Sequence, residues 1–472
     1  MKKFFWMLCI LVYSISVEAQ EPLSLAQAIS IGLKSNFDVQ IELLNLDIDR
    51  NNNNWGQAGL FPTVSFSSNQ NNNIVQRKPA NPFAVPGRNI SNNVNGALDV
   101  QFTLFDGFSV KMTKRQLEQI ERLSYGNATF VMESTIQSIM LAYYQALLEK
   151  ERLRILETNM VFSKERYDYV KLRKELGGAI TFDVLQEQNN YLTDSANVLR
   201  QSIVLRNSVR ELNLLLNEDL NRTYTLVDSL EYQHENYQFE DLHAKMVRSN
   251  TNLKNQYINQ EIIRYNTKLA QSSRYPLVTL NLGANGSLDQ LNANFNAETG
   301  NVIRQPIGFV DDASQTPVVN DVNERVRMPL TLQGNSYGAY GNFGLRFTLF
   351  NGGQIRRTIE NSQVREKIAD LNTDQLKLLL ERDLLGDFDL YNLRNQLVGI
   401  AKTKFEAALL NLDLANERYR NGALSAIDLR IVQENARNAA LESYQAIFNS
   451  ISTKINLIRI TGGLIDSSQL PD

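Results

Sequence analysis

Cysteine is almost absent from this 472-residue chain, and Cys9 is the only one. An intrachain disulfide or a thiolate metal cluster is therefore excluded. Histidine is nearly as scarce, with His234 and His243 alone. No His-x-x-x-His pair, cysteine cluster or phosphate-cradling glycine loop occurs. Paired acids such as Glu381 and Asp383 are two apart, which on a helix turns them away from each other. The chain is accordingly read as a non-enzyme, with no catalytic residue, no cofactor and no metal site. Neither sign of charge is in excess: 48 Lys and Arg face 51 Asp and Glu, for a formal net charge of −3. That excludes the basic footprint of a nucleic-acid binder. Past the N-terminus, no run approaches the ~18 unbroken apolar residues of a membrane-spanning helix.

The N-terminus has the marks of export. Lys2 and Lys3 precede an apolar core from Phe4 to Val12, and Val17-Glu18-Ala19 supplies small residues for cleavage. Residues 1–19 are expected to be a secretory signal, with the mature chain starting at Gln20. Trp6-Met7-Leu8 lack the small residue required ahead of a lipid-acceptor cysteine, so no lipoprotein is predicted.

What is present is a strand–turn–helix device, used twice. Phe343, Leu345, Phe347 and Leu349 alternate with Asn342, Gly344, Arg346 and Thr348, the pattern of a strand with one apolar and one polar face. At Asn351-Gly352-Gly353 the period changes, and a long helical stretch follows. Phe102-Thr103-Leu104-Phe105-Asp106-Gly107 is the same device earlier in the chain. Other segments recur in the same order. Ser249-Asn250-Thr251-Asn252-Leu253 answers Ser35-Asn36-Phe37-Asp38-Val39, and Tyr275-Pro276-Leu277-Val278 answers Phe61-Pro62-Thr63-Val64. The chain is read as an internal duplication. A first repeat at 20–247 carries strands at about 63–76 and 94–105 and a helical hairpin at about 108–216. A second at 248–472 carries strands at about 277–291 and 337–350 and a hairpin at about 354–461. The additional length of the second repeat is assigned to a polar loop around 285–336, and Ser467 to Asp472 to a loose tail.

Each long helix should span roughly 95–100 Å, and each return helix only about 55 Å. Short helices at about 24–35 and 36–59, and at about 251–273, are expected before the first and third strands. A long helix can then be matched by two shorter ones stacked end to end. That predicts a tall helical body, with residues 217–248 and 462–472 as a belt part-way up. Heptad steps mark packing seams at Phe405, Ala408, Leu412, Ala415 and Tyr419, at Leu192, Ala196, Leu199 and Ile203, and at Leu429, Val432, Ala436 and Ala439.

Four two-faced strands match the pattern of outer-membrane barrel strands. Four strands cannot close a barrel, and lipid does not tolerate open edges. Several copies must then pool their strands, about eight for two chains and about twelve for three. The alternative is a soluble antiparallel sheet with one wet face.

These residues resemble the TolC-like outer-membrane factors, the exit ducts of efflux pumps and type I secretion systems. The resemblance rests on the Phe61-Pro62 and Tyr275-Pro276 strand starts, the two Phe-Thr-Leu-Phe-(Asp/Asn)-Gly exits, and the duplication. It rests also on the tips Gly178-Ala179-Ile180-Thr181 and Gly422-Ala423-Leu424-Ser425, and it covers essentially the whole mature chain. It implies a mainly α protein with a membrane β-barrel, assembled as a homotrimer that shares one β-barrel and one periplasmic α-helical barrel. It implies a place in the outer membrane, among outer-membrane lipid, with a long periplasmic portion. The implied partners are a periplasmic adaptor (membrane fusion) protein and an inner-membrane transporter, and the two tips are where the adaptor would touch.

The tips also have a local reading. Gly178 and Gly422 suit a positive φ at a helix end. Thr181 and Ser425 suit the N-caps of the return helices, with Asp183 and Asp428 in the first turns. The resemblance adds a gate. It implies that an aspartate six residues after the tip glycine, here Asp428, points into the tunnel as part of a three-fold ring. Such a ring would repel itself, raise its own pKa values and favour cations. The family's second aspartate, one turn later, is Ile431 here, which predicts an apolar constriction instead. Tyr419 matches a family tyrosine that holds the closed state, and it also fits as a heptad core residue. Asp183 lies five after Gly178, so the gate role is not extended to it.

Two rival readings remain. A secreted coiled-coil structural protein or adhesin would explain the heptads but not four strands placed symmetrically ahead of them. A solitary porin needs many more strands per chain. The transported substrate is not legible from these residues.

Overall fold

The computed structural model describes residues 21–78, 80, 85–232, 234–311 and 313–465. The expected signal sequence at 1–19 and the expected tail from Ser467 lie outside the described residues. The described residues begin with β1 (Glu21–Leu23) and α1 (Leu25–Ser35). Ser24 caps α1 reciprocally: its Oγ accepts the Gln27 N–H at 3.3 Å, and Gln27 Oε1 accepts the Ser24 N–H at 2.9 Å. Next comes α2 (Phe37–Asn52), which stops short of the expected Gly59. The cause is local: Asn54 Oδ1 takes the Gln57 N–H at 2.8 Å, a turn that competes with the helix ladder.

Strands β2 (Thr63–Arg77) and β3 (Gly87–Phe105) follow, then the helical hairpin of α3 (Ser109–Glu175) and α4 (Thr181–Leu216). The segment expected as a belt holds β4 (Tyr224–Leu226) and α5 (Phe239–Ser249). After it come α6 (Thr251–Ser272), β5 (Leu277–Phe309) and β6 (Pro317–Arg346). The second hairpin is α7 (Gln354–Arg420) and α8 (Ala426–Ile460). The matching is close: α1 and α5 each have 11 residues, and α3 and α7 each have 67.

By their contacts the residues divide into two units. One contains Gln116–Arg264 and Gln363–Asp472 with the residues up to Asn52, and the other contains Asn53–Arg115 and Tyr265–Ser362. In the first unit, β1 pairs in parallel with β4, Leu23 opposite Leu226. Both leucines are buried with Ala28, Ile139, Tyr143 and Leu216. The Tyr143 hydroxyl, inside this cluster, lies 2.7 Å from Asp228 Oδ2 and 2.8 Å from the Leu23 carbonyl, so its polar end is satisfied. A second cluster is built from Leu242 and Met246 of α5 with Leu384, Tyr391 and Leu457.

The second unit is an antiparallel sheet of order β2-β3-β5-β6, with β2 and β6 at its edges. Its register puts like with like. Val64 and Phe66 pair with Val100 and Leu98, Val100 pairs with Leu282, and Leu280 with Phe343. The other face carries Ser65, Asp99, Asn281 and Asn342, with hydrogen bonds from Asn93 to Asp289 and from Tyr340 to Asp99 across it. Both strand-to-helix turns use positive φ at two successive residues: Gly107 (+70°) and Phe108 (+69°), then Gly352 (+65°) and Gly353 (+76°). Phe108 holds this conformation despite its side chain, with its ring edge-on to Phe105 and Tyr275 at 5.3 and 6.1 Å.

Two expectations about the strands are corrected. The residues around 285–336 are not a polar loop: β5 and β6 run on through them as a hairpin of 33 and 30 residues. Apolar alternation continues there, with Phe295 opposite Met328 and Ala297 opposite Val326, so the ladder has no reason to stop. Conversely β6 ends at Arg346, opposite the first residue of β5, so Phe347 to Phe350 are left without a partner strand. In the first repeat Phe105 still pairs with Val278, across a bulge.

Candidate functional site

The tips of the two hairpins are built alike, but not in the register the glycines suggested. The positive-φ residues are Gly177 (+81°) and Gly422 (+73°), whereas Gly178 is not left-handed. At each tip two backbone bonds close the helix end. Gly177 N–H donates to Lys174 O at 3.0 Å and Gly178 N–H to Arg173 O at 2.7 Å. Gly422 N–H donates to Tyr419 O at 3.0 Å and Ala423 N–H to Arg418 O at 2.8 Å. This is the Schellman closure, and it makes Gly177 the counterpart of Gly422.

The return helices shift accordingly. Ile180, not Thr181, occupies the N-cap of α4, and Thr181 is already helical. Asp183 Oδ2 accepts the Ile180 N–H at 3.2 Å. At the second tip Ser425 is the N-cap as expected, and its Oγ accepts the Asp428 N–H at 3.1 Å and donates to Asp428 Oδ2 at 2.7 Å. Asp183 and Asp428 therefore hold the same position, third in the helix and six residues after the left-handed glycine. The expectation that Asp183 lies one register short is overturned, because Gly178 is one residue past the true turn.

The rest of each tip is exposed and apolar. Leu176, Ile180, Phe182 and Leu185 on one hairpin, and Ile427 and Ile431 on the other, stand in solvent. Ala423 is exposed, and Ala179 and Leu424 are half-buried. Tyr419 is half-buried near the end of α7. Burial, and then the nearby Glu187 carboxylate, push its hydroxyl above the ordinary tyrosine range.

Just behind the tips lies a group that the heptad reading missed. Arg430 of α8 donates to both carboxylate oxygens of Asp194 of α4, at 2.6 and 3.0 Å. Ser163 of α3 donates to the same carboxylate, and Arg437 Nη1 lies 4.0 Å away. Arg166 of α3 donates to Gln433 of α8, and its Nε sits 3.4 Å from Glu187 Oε2 of α4. Asp194, Glu187 and Arg166 are all buried. Burial alone would raise the Asp194 carboxyl, but the hydrogen bonds from Arg430 and Ser163 outweigh it and hold it below the usual range. Burial lowers Arg166, while the Asp194 carboxylate raises Arg430. The group ties α8 to both helices of the other hairpin.

The heptad seams explain why this group was missed. In the α8 seam Leu429, Ala436 and Ala439 are buried and Val432 is half-buried, but Leu192 and Leu199 of α4 are exposed. Near the tip, the residues that α4 buries against its own chain are Glu187 and Asp194, and heptad spacing cannot see a partner made of charges.

Among the described residues, no cluster of three or more His, Cys, Asp or Glu side chains could hold a metal ion. No described helix is long and apolar enough to cross a membrane. No family model matches the chain, and no curated protein matches it. Solved structures do. The CmeC outer membrane channel of Campylobacter jejuni superposes with a TM-score of 0.67 at 15% identity, over 94% of this chain and 86% of that one. The outer membrane protein VceC of Vibrio cholerae gives 0.65 at 12% identity, over 93% and 96%. The MtrE outer membrane channel of Neisseria gonorrhoeae, in its open state, gives 0.61 at 14% identity, over 93% and 89%. CmeC and MtrE are channel proteins. With its doubled strand–hairpin order and its agreement with these structures over nearly its full length, the chain has the fold of the TolC-like outer-membrane channels.

Proposed function

We propose that this protein is an outer-membrane exit duct, a homotrimeric channel that passes substrates outward from an inner-membrane transporter and a periplasmic adaptor. One observation carries the reading: a four-stranded sheet with two unpaired edges, β2 and β6, and one face that is apolar from Val64 and Phe66 across Leu98 and Val100 to Leu280, Leu282 and Phe343. An open sheet of this kind cannot sit in lipid alone, and pairing β6 of one copy with β2 of the next removes every edge. Apolar stripes without a partner in the chain support the same assembly. Leu192 and Leu199 of α4 and Leu371 and Leu378 of α7 are exposed at heptad spacing, as helices that pack on another copy would be.

In this reading the tips form the narrow periplasmic end. Asp428, together with Asp183 at the equivalent position, supplies carboxylates to the aperture, Ile431 an apolar ring above them, and Tyr419 a contact that holds α7 in the closed arrangement. The exposed tips, from Gly178 to Thr181 and from Gly422 to Ser425, are the surface offered to the adaptor. The buried charges behind them resist the outward movement of α8 that opening demands.

The test is the mass of the protein purified from outer membranes in mild detergent, by light scattering corrected for bound detergent. A trimer is expected. A monomer, or a protein that dissolves without detergent, overturns the channel and favours a secreted coiled-coil protein.

A further inference from the structure

The hairpin of β5 and β6 is far longer than its neighbours, and its two faces exchange character along its length. Pairing of β3 with β5 ends at Ile90 and Asn292, and from Ala293 onward β5 is bonded to β6 alone. The 17 residues to Phe309 make a two-stranded ribbon of about 55 Å at ~3.3 Å per residue. Follow one face along β6. Asn342, Tyr340, Ser336 and Gly334 lie on the polar face of the sheet, and the same face then carries Leu332, Leu330, Met328 and Val326, with Glu324, bonded to Thr299 and Asn301 at the bulge of β5, before Val322. The opposite face begins with Leu345 and Phe343 and turns into Arg327, Arg325, Asn323 and Asp321. On that charged side Arg325 pairs with Glu298 at 2.8 Å and Arg304 with Asp321 at 3.4 Å. The exchange falls near Gln333.

Physics explains one half of this at once. A strand that leaves lipid meets water on its outer face, so that face must become polar. The other half needs an occupant. The apolar side of the ribbon is the continuation of the polar face, which in a closed barrel looks toward the axis. Met328 is 53% and Leu330 47% exposed, and a two-stranded ribbon alone in water is marginal at best. Something must cover it, and across the axis of a barrel closed by copies of one chain lies the same face of the other copies.

We infer that the β5–β6 ribbons of the copies in one assembly converge beyond the membrane, pack Phe295, Ala297, Val322, Val326 and Met328 against their equivalents, and form a cap over the outer mouth of the channel. The inference rests on the pooled-barrel reading proposed above. The cap would narrow the outlet independently of the periplasmic tips.

Cysteine cross-linking tests it, because Cys9 is the only native cysteine. In a Cys9→Ser background, Phe295→Cys and Met328→Cys are placed one at a time on the apolar face, and Asn296→Cys and Arg327→Cys on the charged one. Detergent-purified protein is oxidised and run on non-reducing gels, and its mass is measured on the same sample. A disulfide needs Cα atoms within about 7 Å, so copies joined through the apolar face should cross-link roughly fivefold or more over the charged-face controls. A trimer in which the two faces cross-link equally, or not at all, overturns the cap alone. A monomer overturns the barrel reading with it. A second variant replaces Asn294 to Pro329 with an Asn-Gly turn. It should remain trimeric and show raised single-channel conductance, and an unchanged conductance counts against the cap.

Discussion

Arg430 holds both carboxylate oxygens of Asp194, at 2.6 and 3.0 Å, and so fastens the return helix of the second hairpin to the return helix of the first. Ser163 brings α3 into the same contact. The bond has no twin. In the other repeat the equivalent positions are Leu185 and Ala439, which cannot form it. Among the described residues, the ionic contacts from α8 to the first hairpin at this level, from Arg430 and more distantly from Arg437, thus converge on Asp194.

Breaking that tie should be costly. Asp194 is buried, and removing one partner of a buried pair leaves an uncompensated charge, about 3–5 kcal/mol. Arg430→Ala should therefore lower the thermal midpoint by several degrees. Arg430→Met combined with Asp194→Leu should recover most of the loss, because the apolar pair leaves no orphan charge. Equal damage from the single and double variants would show that geometry rather than charge matters here.

The same pair sets an acid response. Asp194 titrates below its ordinary value in the folded chain. Its contribution is therefore fully present above the unfolded carboxyl value of about 3.9, and it is lost as pH falls through the lower folded value. Midpoints measured between about pH 6 and pH 3 should fall at the acid end, and Asp194→Asn should flatten that fall. A fall of the same size in the variant would assign it to other carboxylates.

Two glycines with nearly the same backbone should respond differently to alanine. At Gly177 (φ +81°) an added Cβ meets nothing within 4 Å, so only the left-handed penalty of about 1 kcal/mol applies. At Gly462 (φ +69°) the Cβ would sit 2.4 Å from the Ser249 carbonyl oxygen and 2.7 Å from its carbon. That contact is with backbone and cannot swing aside. Gly462→Ala should destabilise by clearly more than Gly177→Ala, measured as the difference between their midpoints.

The tip aspartates should act together. Asp183 and Asp428 occupy equivalent helix positions, so Asp183→Asn and Asp428→Asn should each reduce the preference for cations in single-channel recordings. The double variant should reduce it further. An effect confined to Asp428→Asn would mean that only the second hairpin lines the aperture. Ser425→Ala should cost about 1 kcal/mol through the lost cap and release the Asp428 side chain from its local bond.

The local chemistry of the chain was open to reading from its residues. Alternation of Phe343 and Leu345 with Asn342 and Gly344 marked a two-faced strand, because side-chain period in a strand is two. Helix α7 begins at Gln354 and ends at Arg420, as the spacing between Gly353 and Gly422 requires, since glycine punctuates a helix whatever surrounds it. What depends on neighbours was not open. Gly177 and Gly178 are identical as letters, and only the hydrogen bonds of the closed turn decide which one is left-handed. Asp194 and Arg430 are 236 residues apart and look like solvated helix charges until packing brings α4 and α8 together. The continuation of β5 and β6 through Asn-, Glu- and Arg-rich sequence was likewise hidden, because a strand with one charged face reads as a loop until its partner supplies the ladder. Period, turn chemistry and duplication came from the sequence by itself. Register, charge pairing and the exchange of faces along the ribbon were decided by tertiary structure, because each is a relation between residues far apart in the chain.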